Sequence, residues 1–182
     1  MESTPRKIER YIVEDYLIET KNYEYRTELI NGEIVGLASP SLEHQDITIE
    51  MVSLFRQFIK KNGGKCRSYC APTDVRLNFE NMVVPDVFIA CNPENFSPRY
   101  YDGAPDFVAE VVSTNKSDDY IRKLRLYQKF GVREYWIIDP DKEKVSVYFF
   151  EKSLEPEIYD FHTPIPVKIW EGKFSVTIAE LY

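Results

Sequence analysis

The sequence predicts a mixed α/β (α+β) domain in which a central mixed β-sheet is flanked by helices. Three observations lead there. Val- and Ile-rich strand segments alternate along the chain with two long helical patterns. An Asn-Gly dipeptide sits between two apolar runs near the start. The composition, 43% hydrophobic with 13 Tyr and 11 Phe, supplies a buried centre for one domain spanning residues 1–182.

Taken in order, Ile8, Tyr11, Ile12, Tyr16 and Leu17 recur at helical spacing and predict a short N-terminal helix within residues 8–20. Asn31-Gly32 suits the positive φ angles of a type I′ turn and predicts a hairpin. Ser41 is an N-cap for a helix over 42–61, where Ile47, Met51, Leu54, Phe55 and Phe58 form the apolar face and Gly63-Gly64 the stop. Three strands are expected at Thr73–Phe79, Met82–Cys91 and Asp106–Ser113. Pro93, Pro98, Gly103 and Pro105 mark the stretch before the last as a loop.

Thr114, Asn115 and Ser117 offer caps for a second long helix over 118–130, ended by Gly131. A hairpin follows, turning at Asp139, Pro140 and Asp141. Residues 151–182 read as a C-terminal β extension with strands at Val167–Trp170 and Lys173–Ile178. The first ten residues carry no apolar leader and no stretch suffices to span a membrane, so a cytoplasmic protein is expected. Cys66, Cys70 and Cys91 form an odd set and read as reduced thiols.

The strands also say which acids can meet. Asp86 shares a strand face with Phe88 and Ala90, and Glu110 shares one with Val108 and Val112. A lone ionised carboxylate among apolar neighbours is expensive to bury, so each needs a partner. If the strands are adjacent, a divalent cation compensates the two charges, and oxygen ligands of this kind suit Mg²⁺ or Mn²⁺. Lys123, on the helix after the Glu110 strand, can direct an ammonium to the same place, with Tyr127 four residues on. Asp74 lies on a third strand within reach.

The ordered segments TELINGEIV, SPSLEHQ, PTDVRL, VVPDVFIA, GAPDFVAEVVS and GVREYWIIDP, with the helix carrying Lys123 and Tyr127, resemble the Uma-type restriction endonuclease family of the PD-(D/E)XK nuclease superfamily. The resemblance runs from about Tyr25 to Phe149. It implies a restriction-endonuclease-like core and metal-dependent hydrolysis of phosphodiester bonds in DNA. Pro85-Asp86 matches the first half-motif and Glu110 the acid of the second. Val112 stands where the general motif has lysine, which makes Lys123 the replacement. Asp86, Glu110 and the Val111 carbonyl are then the expected ligands of Mg²⁺ (or Mn²⁺), with Asp74, Glu28, His44 and Tyr127 as accessory residues.

DNA is the expected partner, and a homodimer would place two sites on a duplex. The net charge of −7, from 30 acids against 23 bases, argues against tight sequence-specific binding by a monomer. Two other readings remain open: a catalytically inactive nuclease-fold module that binds protein partners, and a hydrolase of small phosphodiesters. Convergence of Asp86, Glu110 and Lys123 in an open cleft separates these from the endonuclease.

Overall fold

The computed structural model describes residues 10–113 and 117–182, with the backbone alone at 117–119. Ile8, Thr114 and Asn115, and the side chain of Ser117, lie outside the described residues. The first helix, α1 (Val13–Glu19), leads into strands β1 (Thr27–Ile30) and β2 (Glu33–Gly36). Asn31 and Gly32 adopt φ of 51° and 76°, the turn expected from the Asn-Gly pair. Helix α2 (Leu42–Asn62) starts on the Ser41 hydroxyl, which accepts from the His44 N–H at 3.1 Å, and ends at Gly63 with φ 67°.

Strands β3 (Arg67–Cys70), β4 (Asp74–Asn78), β5 (Asn81–Val83), β6 (Val87–Ala90), β7 (Tyr100–Asp102) and β8 (Phe107–Val111) precede helix α3 (Ser117–Phe130). Beyond it come β9 (Glu134–Asp139), β10 (Lys144–Phe149), β11 (Glu157–Asp160), β12 (Ile165–Pro166) and β13 (Ser175–Val176). No described helix is long and apolar enough to cross a membrane.

The strands form two large mixed sheets and a separate two-stranded one where the sequence suggested a single central sheet. One large sheet has the order β11-β10-β9-β8-β6-β3 and the other β2-β1-β5-β4-β7. In the first, β8 and β9 run parallel, so the link between them must cross over, and α3 lies on that link. The division arises at Val84-Pro85-Asp86. Met82–Cys91 is not one strand; the chain leaves the second sheet after β5 and enters the first at β6. Pro85 lacks the N–H that a continuous central strand would use. Its neighbour Asp86 is thereby placed at the mouth of the first sheet.

Four further strands, β3, β7, β11 and β12, went unread in sequence. β3 and β11 are short edge strands, and β7 lies within the Pro-containing stretch taken as loop, paired in parallel with β4. In the tail, Lys168–Trp170 forms a 3₁₀ turn instead of a strand, and β12 pairs with β13.

The first sheet buries both faces. On one, Val87, Ile89, Phe107, Ala109, Val111 and Trp136 pack with Ile47, Met51 and Phe55 of α2 and with Val167, Val176 and Ile178 of the tail. Trp170 and Phe174 lie against Phe58 of α2, with ring centroids 4.5 and 4.8 Å away. On the other face, Phe88, Ala90, Val108 and Tyr135 meet Val75 and Val83 of the second sheet and Leu126 and Tyr127 of α3. Alternation along the strands puts Asp86 and Glu110 on this second side, between the sheets and α3.

Cys66 and Cys91 are joined by a disulfide, and Cys70 is free. This corrects the reading of three reduced thiols. Arg67 pairs with Ala90 across β3 and β6, so Cys66 and Cys91 lie one step beyond that pair, facing each other. Their contact depends on a strand pairing that residues 25 apart do not announce.

Glu134 ties the tail to β9. It is fully buried and accepts from Trp136 Nε1 at 2.7 Å and from the Ile169 N–H at 2.9 Å. Burial pushes its pKa up from 4.5 to about 7, against the pull of those donors. The folded protein therefore holds this proton more tightly than the unfolded chain. The resulting stabilisation is complete below about pH 4.5 and is lost as pH rises through about 7. Glu134→Gln should flatten the decline in melting temperature across this range, by an amount equivalent to about 2–3 kcal/mol. An unchanged slope would mean the carboxyl ionises in its ordinary range.

Candidate active site

One cavity of about 390 Å³ opens where the two sheets, the start of α2 and the start of α3 come together. Asp86, Glu110 and Lys123 all contribute to its wall, as do His44, Val111 and Tyr120. The pairing of β6 with β8 explains the first two. Val87 faces Ala109 and Phe88 faces Val108, so the register places Asp86 opposite Glu110. Directly opposed residues have Cβ atoms about 5 Å apart.

Asp86 is held by backbone and by an imidazole. Its Oδ2 accepts from the Val111 N–H at 2.8 Å and lies 3.0 Å from His44 Nε2. His44 is presented by the first turn of α2, whose cap fixes its backbone, and its side chain is 11% exposed. The Nδ1 atom of the same ring is buried with no hydrogen-bond partner among the described residues.

Glu110 is 3% exposed, and Lys123 is 4% exposed. Glu110 Oε1 accepts from the Tyr127 hydroxyl at 2.7 Å and from Lys123 Nζ at 3.1 Å. Lys123 Nζ also lies 3.0 Å from Glu28 Oε1, which accepts from the Val84 N–H at 2.7 Å. Glu28 is wholly buried, and its Oε2 has no partner among the described residues. Burial raises the Glu110 pKa to about 8, with Lys123 opposing the shift and the charges of Asp86 and Glu28 adding to it. Tyr127 is driven well above the ordinary phenol range by burial and by the carboxylate it contacts.

The backbone carbonyl of Val111 accepts from the Tyr120 hydroxyl at 3.4 Å, and that hydroxyl accepts from the Ser113 N–H at 3.0 Å. Burial pushes the Tyr120 pKa up to about 12. Sequence reasoning did not single out Tyr120 or Arg26, another residue of the cavity wall. The signal for Tyr120 was present, since it lies three residues before Lys123 and seven before Tyr127, on one helix face.

Asp74 is half-buried and is not part of the cavity wall. Burial raises its pKa, the Glu28 charge adds to the rise, and Arg26 lowers it. Glu28, Lys123, Glu110 and Tyr127 are thus joined by direct contacts, His44 and Asp86 form a second contact beside them, and Asp74 lies at the edge.

Two carboxyl groups contact Lys123, and the charge of Asp86 also bears on Glu110. The orphaned Glu28 oxygen and the raised Glu110 pKa both register the excess of acid, which an added cation would relieve. Among the described residues, no three carboxylate, imidazole or thiol groups converge on a single cation position. A cation in this place would have the opposed pair Asp86 and Glu110 as its protein donors. Such a set fits Mg²⁺, which keeps several waters and binds through one or two carboxylates together with substrate phosphate.

A family model described as "Putative restriction endonuclease" matches residues 13–179. The chain belongs to this family, Uma2. The Uma2 match covers every site residue named above. A curated relative, the uncharacterized protein slr1290 of Synechocystis sp. (strain ATCC 27184 / PCC 6803 / Kazusa), is 24% identical over 138 residues, covering 74% of this chain and 72% of the relative. Among solved structures, a "putative nuclease belonging to DUF820" from Anabaena variabilis ATCC 29413 aligns with a TM-score of 0.75 and 23% identity, covering 92% of this chain and 95% of its own. That likeness establishes the fold of this Uma2 chain as the one seen in the Anabaena protein.

Proposed function

We propose that the chain is a metal-dependent endonuclease that hydrolyses phosphodiester bonds in DNA, with Asp86, Glu110 and Lys123 at its reaction centre. The observation that carries this reading is their convergence on one cavity from β6, β8 and α3, with His44 beside Asp86. Membership of the Uma2 family, whose description is that of a restriction endonuclease, supports the same reaction class.

Asp86 and Glu110, with the Val111 carbonyl, would hold Mg²⁺ or Mn²⁺, which when bound polarises the scissile phosphate and readies a water for attack. The Val111 N–H and His44 orient Asp86. Glu110 must give up its proton to serve as a ligand, and Lys123 favours its charged form. Lys123, anchored between Glu28 and Glu110, places a fixed positive charge where negative charge grows on the phosphoryl oxygens. His44 Nδ1 is a buried atom that a water or phosphate oxygen in the cavity would satisfy. A two-fold homodimer in the cytoplasm, with one site for each strand of a duplex, completes the proposal.

A second reading is favoured by one specific observation. Glu110 is closed into an ion pair and nearly inaccessible, as in a nuclease fold retained for binding other proteins. Supercoiled plasmid distinguishes the two. The endonuclease converts it to nicked and linear forms with Mg²⁺ or Mn²⁺ and not with EDTA, and Glu110→Gln leaves it supercoiled. A preparation free of contaminating nuclease that leaves plasmid intact in both metals supports the binding module.

A further inference from the structure

Lys123 points inward, and α3 carries three more cations beyond it. Arg122, Arg125 and Lys129 stand at i, i+3 and i+7, one stripe of about 10 Å at 1.5 Å per residue. They line a second groove of about 510 Å³, completed by Ile121, Leu126 and Asn31 of the β1–β2 turn. Arg122 approaches Glu33 at 3.9 Å. Arg125 is exposed and makes no hydrogen bond, ion pair or ring contact among the described residues. Lys129 is exposed, with Nζ 5.4 Å from the Phe130 ring. On a chain of net charge −7, this stripe is a local reversal of sign.

We propose that the groove is a track for the sugar-phosphate backbone of a nucleic acid away from the scissile bond, with Arg125 and Lys129 each engaging one phosphate. A linear stripe over two helical turns matches a linear polyanion. Tyr120 and Lys123 of the same helix line the catalytic cavity, and Ile121 and Arg122, their neighbours in sequence, line the groove. The inference rests on the endonuclease reading and gives an acidic protein a surface on which phosphate can be held.

Fluorescence anisotropy of a labelled DNA duplex, titrated in EDTA at several salt concentrations, tests it. The proteins are wild type, Arg125→Gln/Lys129→Gln, and Lys60→Gln/Lys61→Gln, which removes the same charge from exposed positions at the far end of α2. Loss of the two groove cations should lower the dependence of log K on log salt by about 2 and weaken binding on the order of tenfold. The control should match wild type. With Mg²⁺, the groove variant should raise KM for cleavage and leave kcat unchanged.

Equal salt slopes for wild type and groove variant, or an equal loss in the control, overturn the track while leaving the endonuclease standing. A wild type that neither binds duplex nor cuts plasmid overturns both. An acidic peptide bound through Arg125 and Lys129 in place of DNA also overturns it.

Discussion

Lys123→Met should lower the melting temperature by roughly 6–20 °C near neutral pH and abolish nicking. Methionine keeps the length and most of the volume of the lysine and removes its charge. Glu28 and Glu110 are then left as buried carboxylates whose named donors are the Val84 N–H and the Tyr127 hydroxyl. Removing one member of a buried ion pair typically costs about 3–5 kcal/mol, and each kcal/mol corresponds to about 2–4 °C for a chain of this size. The deficit has a definite pH dependence. With the lysine gone, the folded-state pKa of Glu110 rises further above its unfolded value, so stability is best preserved at low pH and is lost as pH increases. Melting curves from pH 5 to 9 should show the gap from wild type widening upward. Glu28→Gln in the same background should recover part of it. A variant as stable as wild type at pH 9 would contradict the charge network described for the interlayer.

Asp86→Asn should separate chemistry from folding. The asparagine retains an oxygen for the Val111 N–H and the side chain is only partly buried, so a change in stability of about 1 kcal/mol or less is expected. The proposed metal ligand, however, loses its charge. Nicking under saturating Mg²⁺ should fall on the order of 10²–10³-fold, the scale on which loss of one strong electrostatic contact to a reaction centre is felt. The contrast with Lys123→Met is the informative feature: one variant is stable and inactive, the other unstable and inactive. Activity within threefold of wild type would remove Asp86 from the reaction centre.

Different parts of this arrangement were legible to different degrees. Glu110 stood out because an acid in the middle of Phe107–Val111 breaks an apolar run, and the structure buries it with a compensating lysine. The hairpin at Asn31-Gly32 and the limits of α2 were legible because positive φ angles and caps are written in local residue types. Asp86 was assigned to the correct face for a partly mistaken reason, since it lies just before β6 and not inside one long strand. Pro85 carried that information, but a proline inside a Val-rich run reads as a flaw in one strand more readily than as a junction between two sheets. The meeting of His44 with Asp86, of Glu28 with Lys123 and of Cys66 with Cys91 depends on pairings between distant segments. Periodicity within a segment is silent about its neighbours. The strand β7 was hidden for the same reason, being defined by its parallel partner β4 and not by its own composition.

Whether Asp86 and Glu110 hold a metal that drives cleavage can be read from calorimetric titration of Mg²⁺ into wild type and Glu110→Gln, with plasmid nicking followed on the same samples. Saturable binding at millimolar metal or below and metal-dependent nicking are expected in the wild type, with both lost in Glu110→Gln while its fold is retained. No binding heat and no nicking in a folded wild type would contradict this, and would leave the buried Glu28–Lys123–Glu110 network as a structural feature of a nuclease fold without the chemistry.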